Sequence, residues 1–240
     1  MSEHVFEVES GKAIKMPTKG KVCTEDIIVR GVGGSGDEEM VALFNNTATT
    51  LPKAIKELEV IPEYACYMKT NLLEIDLPNT IEMGLACFSS PSTAMNYYKV
   101  NLPKAQKVQG ISTKNTSETA KTFGLYLPEC TSINACTNSP NMVYCILPKI
   151  TTIGIRNALN QNSKCKLILP QHFFVAHNSS NWGSPTIESV YVPKALLEQY
   201  KTGSNWVVYP EKIFAIEDSE EVLQILADVG YTYEPMEVSA

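Results

Sequence analysis

Five segments of this chain are variants of one phrase: LEIDLPNTIE, KVNLPKAQKV, GLYLPECTSI, CILPKITTIG and KLILPQHFFV. In each, a short apolar run ends in Leu-Pro and a polar turn follows. The Leu-Pro or Val-Pro prolines fall at Pro52, Pro78, Pro103, Pro128, Pro148, Pro170 and Pro193, separated by 26, 25, 25, 20, 22 and 23 residues. A recurring spacing in the twenties is the period of a leucine-rich solenoid. A sandwich or barrel of hairpins needs strands about every 8–12 residues, roughly half this spacing.

The residues before each proline sharpen the reading. Counting back one, three and five places gives Leu77, Ile75 and Leu73, then Leu102, Val100 and Tyr98, then Leu127, Leu125 and Phe123. The series goes on with Leu147, Cys145 and Val143, then Leu169, Leu167 and Cys165, and ends with Val192 and Val190. Alternation of this kind is a strand with one buried face. Proline lacks a backbone donor, so it stops the ladder and opens a turn. The pattern predicts a leucine-rich-repeat solenoid with one short parallel β-strand per repeat of 20–26 residues, and an irregular or briefly helical return marked by Ile81, Met83, Val108, Ile133, Ile150 and Ile153.

The stretch ITTIGIRNAL, with Ile150, Ile153, Gly154 and Ala158, resembles the irregular leucine-rich repeats of bacterial surface proteins and of phage or prophage tail-associated proteins. That family often has an aromatic residue after the alanine, where this chain has Leu159. MGLACF, with Met83, Gly84, Cys87 and Phe88, is a looser copy. The resemblance covers roughly residues 50 to 216 and implies the fold more than the function. TKGKVCTEDIIV is similar to short modules that precede repeats in tailed-phage proteins.

Three regions follow. Residues 1–36 form an N-terminal module closed by the Gly-rich stretch Gly31 to Gly36, a linker by composition. It lacks the G-x-x-x-x-G-K-[ST] pattern that cradles phosphate. Residues 37–192 form the solenoid, and 193–240 a C-terminal cap and helix. In the cap, Pro193 sits at a first helical position before Leu196, Leu197 and Tyr200, with Trp206, Val208 and Phe214 as bulky cover. Asp218 with Glu221 reads as a helix start. Val222, Ile225, Leu226 and Val229 form one stripe, ended by Gly230.

Little in the chain points to chemistry. The seven cysteines, Cys23, Cys66, Cys87, Cys130, Cys136, Cys145 and Cys165, show no C-x-x-C and read as packed thiols. Of three histidines, His172 and His177 flank FFVA at an offset that suits neither one helix face nor one strand face, and Cys165 completes a metal set only through a fortunate loop. Glu74 and Asp76 stand at i, i+2 on an outer strand face, without the dry cleft that separates paired carboxylate pKa values. No catalytic residue, metal ligand or cofactor is assigned, and the expectation is a protein that is not an enzyme. A net charge of −6 gives no reason to expect nucleic acid. No apolar run is long enough to insert in a membrane.

The outward strand face carries the functional expectation. Two and four places before each proline it runs from Asp76, Glu74, Asn101 and Lys99 to a column of Tyr126, Tyr144, Ile146, Ile168 and Tyr191. Strands stack about 4.8 Å apart, so these side chains adjoin, and an exposed patch of this kind marks a binding or assembly surface. The competing expectation is that the C-terminal segment folds back over it. Trp182, among Asn178 and Asn181, is a further candidate for stacking on a sugar. The resemblance implies a non-enzymatic structural or receptor-recognition protein of a virion tail, with a protein or cell-surface glycan as partner and a homo-oligomer, a trimer, as assembly. The alternative is an adhesin of the bacterial cell surface or exterior, and a third class is an enzyme with an unrecognised pocket.

Overall fold

The computed structural model describes residues 49–237, apart from 52, 62–65, 67–70, 90–93, 115–116, 118, 135, 137, 160–161, 179–186, 204 and 208. Before them it gives four backbone strands. These are β1 (His4–Glu7), β2 (Ala13–Met16), β3 (Val22–Cys23) and β4 (Ile28–Val29), and β1 pairs with β2 and β3 with β4, both antiparallel. The glycine stretch of residues 31–36, Trp182 and Val208 lie outside the described residues.

From there the chain is a parallel β-solenoid. A short helix α1 (Lys53–Lys56) leads to β5 (Val60–Ile61), and the coils then deliver β6 (Glu74–Asp76), β7 (Glu82–Met83), β8 (Lys99–Asn101), β9 (Lys107–Gln109), β10 (Phe123–Tyr126) and β11 (Ser132–Asn134). Next come β12 (Met142–Ile146), β13 (Thr152–Ile153), helix α2 (Ile155–Ala158), β14 (Asn162–Ile168), β15 (Ala176–His177) and β16 (Ile187–Val192). After 3-10 turns and helix α3 (Leu197–Thr202), strand β17 (Ile213–Ala215) ends the stack, and α4 (Glu220–Asp228) follows.

The pre-proline strands form one side of the coil. Strands β10, β12, β14, β16 and β17 make a five-stranded parallel sheet in that order, and β6 pairs parallel with β8, which lies beside β10. Proline is what bends the chain away from this side. At Pro78, Pro103 and Pro128 the Leu-Pro pair forms the first half of a β-turn with proline at its second position, where a fixed φ costs least. Thr80, Ala105 and Cys130 donate their N–H to the carbonyls of Leu77, Leu102 and Leu127, each at 3.3 Å.

Sequence reasoning expected an irregular return at this point. Instead a second short strand starts within a few residues of the turn. Strands β5, β7, β9 and β11 form a four-stranded parallel sheet, and β13 pairs with β15. Met83, Val108 and Ile133 are the inward residues of β7, β9 and β11. Four of the return marks seen in the sequence, Met83, Val108, Ile133 and Ile153, are therefore residues of strands too short individually to show a period, while Ile81 and Ile150 lie just before such strands.

The alternation before the prolines also slips. At the far end of the run Leu72, Tyr97 and Met142 are fully buried, while Leu73, Tyr98 and Val143, the residues that strict alternation turns inward, are only partly so. A register shift between Phe123 and Gly124 opposite β12 marks one such slip. It keeps the largest side chains in one column, where Tyr97 meets Phe123 edge-on at 5.8 Å. One continuous interior core runs from Leu51 to Ile213.

A buried polar ladder stitches the remaining side. Ser139 N–H donates to Asn162 Oδ1 at 2.6 Å, Asn162 Nδ2 donates to the Cys136 carbonyl at 2.7 Å, and Thr113 Oγ1 donates to Asn141 Oδ1 at 2.5 Å. These amides satisfy backbone groups that the irregular corner leaves without a strand partner.

The C-terminal cap closes the stack with strand β17 and with buried side chains. Tyr200 Oη accepts from Val175 N–H at 2.8 Å, Trp206 Nε1 donates to the Val175 carbonyl at 2.8 Å, and Asn205 Nδ2 donates to the His177 carbonyl at 2.8 Å. Tyr200 and Trp206 are fully buried, but Phe214, expected as cover, is 45% exposed. The N-cap of α4 is Ser219, whose hydroxyl accepts from Val222 N–H, and not Asp218, which pairs with Lys194 at 2.7 Å.

Candidate binding surface

The outer face of the pre-proline sheet is two rows of side chains. Parallel registration aligns Asp76 with Asn101 in one row, and further along the same row Tyr126, Ile146, Ile168, Tyr191 and Phe214. The second row aligns Glu74 with Lys99, and then Gly124, Tyr144, Lys166 and Ser189. The column of Tyr126, Tyr144, Ile146, Ile168 and Tyr191 expected from the sequence is therefore contiguous.

Its aliphatic centre is closed to solvent, and its three tyrosines are partly buried. Ile146 and Ile168 are completely buried against Ile216, Val222 and Leu226, with Tyr126, Tyr144, Tyr191, Ile225, Val229, Tyr231 and Tyr233 packed around them. The exposed surface expected here is an interface within the chain, and the competing expectation of a C-terminal cover describes it. The physical reason is the stripe of α4: about 100° of apolar helix surface needs a partner, and the tether holds this one at high local concentration. Tyr231 rests edge-on against Tyr126 at 6.4 Å, and burial pushes the phenol of Tyr126 above its ordinary range. Tyr144 is pushed up as well, by burial and then by the charge of Asp228.

The uncovered half of the face is polar. Lys99 stands 3.6 Å from Glu74, and Asp76 receives hydrogen bonds from Asn101 Nδ2 at 2.8 Å and Lys56 Nζ at 2.9 Å. The Asn101 amide and the Lys56 ammonium hold the Asp76 carboxyl below its usual value. Glu74 and Asp76 thus each face a cation on a neighbouring coil instead of sharing a proton. Lys121 lies 4.1 Å over the Tyr98 ring, a cation–π contact at the rim of the same face. Sequence reasoning placed Tyr98 inside and passed over Lys56 and Lys121. The slip from Tyr98 to Tyr97 has no local signature, and the lysines precede or follow the strands they serve.

The histidine loop splits. His177 is buried, accepts from Ile155 N–H through Nε2 at 3.3 Å and meets the Trp206 ring at 5.0 Å. His172 is exposed, its Nε2 2.6 Å from the Glu234 carbonyl, and Cys165 lies in the interior core. Among the described residues no group of three or more His, Cys, Asp or Glu side chains is placed to hold a metal ion. The six described cysteines are all buried free thiols. Burial pushes Cys130 and Cys136 up to about 12, far from the thiolate that nucleophilic chemistry needs. No described helix is long and apolar enough to cross a membrane.

The class these features define is a parallel-strand β-solenoid with a side-chain cap and a helix docked across its outer sheet. No protein-family model matches the chain, and no curated protein matches it.

Proposed function

We propose that this chain is a non-enzymatic recognition or structural protein of the leucine-rich-repeat kind that meets its partner, a protein or a cell-surface glycan, on the open polar half of the sheet face. The observation that supports this reading is the division of that face. One half is sealed by α4, and the other offers Glu74, Asp76, Lys99 and Asn101 in register, with Tyr98 and Lys121 at its rim. Aligned carboxylates, ammonium groups and an amide on rigid strands suit a polar, geometrically repeated ligand.

The setting that fits the resemblance is a virion tail, where such a protein works as a trimer. A bacterial surface adhesin is the alternative. Light scattering separates them: a stable trimer supports the tail role, and a monomer removes its main structural expectation. Glycan arrays and intact bacterial cells then test the face. Binding that is lost in Lys99→Glu and Asp76→Lys, with the fold retained, supports it. Binding unchanged in both variants overturns it.

A further inference from the structure

We propose that α4 and the tail after it, residues 219–237, form a strap that opens from the sheet face as its own cooperative unit while the solenoid stays folded. The proposal goes beyond the recognition reading and does not depend on it.

The first support is a separation of cores. The interior core includes Cys145, Leu147, Leu167, Leu169, Val190 and Val192, whereas the strap covers Ile146 and Ile168 on the opposite strand face. Side chains alternate across a strand, so lifting the strap uncovers the outer face and leaves the interior sealed. The helix also adds no rung to the ladder, because β17 ends the sheet before it.

The tethers are consistent with a hinge at Ser219. Before it, the turn of Ile216–Asp218 is anchored: Lys194 N–H donates to Glu217 Oε2 at 2.8 Å and Lys194 Nζ to Asp218 Oδ1 at 2.7 Å. Beyond it, the polar links between the strap and the rest of the chain are few among the described residues. Glu221, itself exposed, bridges to the largely buried Lys166 at 3.2 Å, the Tyr233 hydroxyl donates to Glu217 at 2.8 Å in a part-buried contact, and the Glu234 carbonyl meets the exposed His172. Ser219 itself is extended, with φ −127° and ψ 101°.

The third support is the face the strap covers. Opening exposes Tyr126, Tyr144, Ile146, Ile168 and Tyr191, an aliphatic-aromatic face suited to an amphipathic helix.

Hydrogen exchange on the full chain tests this. The amides of α4 exchange at least about 30-fold faster than those of β12, β14 and β16. Leu226→Ala speeds α4 about 30-fold further, from the lower end of the usual cost of a buried leucine truncation, and leaves the strand amides unchanged. Leu125→Ala, in the interior core, speeds the strands as well. A common rate for helix and strands, accelerated together by Leu226→Ala, overturns the strap. So does α4 exchange that slows as protein concentration rises, since a second copy then supplies the cover.

Discussion

The ring of Tyr144 lies over Gly124: a Cβ at position 124 would sit 1.8 Å from Cζ of that ring. The two residues are register partners on β10 and β12, so one coil's missing side chain is filled by the next coil's phenol. The same ring packs beneath α4. Gly124→Val drives it outward against the helix, an overpacking that costs about 1–3 kcal/mol. Urea denaturation of Gly124→Val, Tyr144→Ala and the double variant measures the coupling. The valine costs less by at least about 0.5 kcal/mol once the ring is gone. Strict additivity would show that the two positions do not share the space.

The cap makes a second prediction through Val175. Its N–H donates to Tyr200 and its carbonyl accepts from Trp206, both at 2.8 Å and both buried. Tyr200→Phe and Trp206→Phe keep most of the apolar volume and strand one backbone group each. Each change costs about 1–3 kcal/mol. Thermal melts fall by about 2–4 °C per kcal/mol for a chain of this size. Glu198→Gln, on the exposed side of α3, leaves the melt in place. Phenylalanine variants that melt with the wild type would remove the side-chain cap as a source of stability.

The solenoid was legible because its strongest signal is covalent: proline at a regular spacing removes a ladder donor every time, whatever surrounds it. The pre-proline strands and their inward Ile75, Leu125, Leu167 and Val190 follow from that. The second sheet was not legible, since β7 and β13 are each two residues long and alternation needs more residues than that to appear. The shift from Tyr98 to Tyr97 was hidden for a related reason, both positions carrying the same side chain. The outer column was read in correct register, yet a register alone does not say what covers it. The stripe Val222, Ile225, Leu226 and Val229 was visible as a helix in need of a partner, and the column as a face in need of a cover. Only packing joins them.

Asp76 gives a prediction in acid. Its carboxyl is held below the ordinary 3.8 by Asn101 and then Lys56. A depressed folded-state value contributes stability that is present above the unfolded value and is lost as pH falls through the folded one. Both partners of the ion pair are 34% exposed, so screening keeps the contribution small. The sharper readout is the titration itself. Carbon-detected NMR of Asp76 shows its midpoint rising in Asn101→Ala and in Lys56→Met. A midpoint unmoved by both would mean that neither group touches the carboxylate in solution.

The buried thiols predict the opposite limb of the pH profile. Burial raises Cys130 and Cys136 from the ordinary 9.0 to about 12, and Cys145 and Cys165 are raised by burial as well. In the unfolded chain these thiols ionise near pH 9, while the folded chain keeps its protons until about pH 12. The stability they allow is therefore complete below pH 9 and is lost progressively as pH rises toward 12. Urea midpoints at pH 8, 10 and 11 fall accordingly. A Cys130→Ala, Cys136→Ala variant falls less steeply over the same window, even where its stability at pH 8 is lower. A thiol reagent at pH 8 leaves the six described cysteines unmodified in the native protein and labels them after unfolding. Rapid labelling of Cys130 or Cys136 in the native protein, or an alkaline slope that the double variant leaves unchanged, would mean that the interior column is wet and that the coils do not close around it.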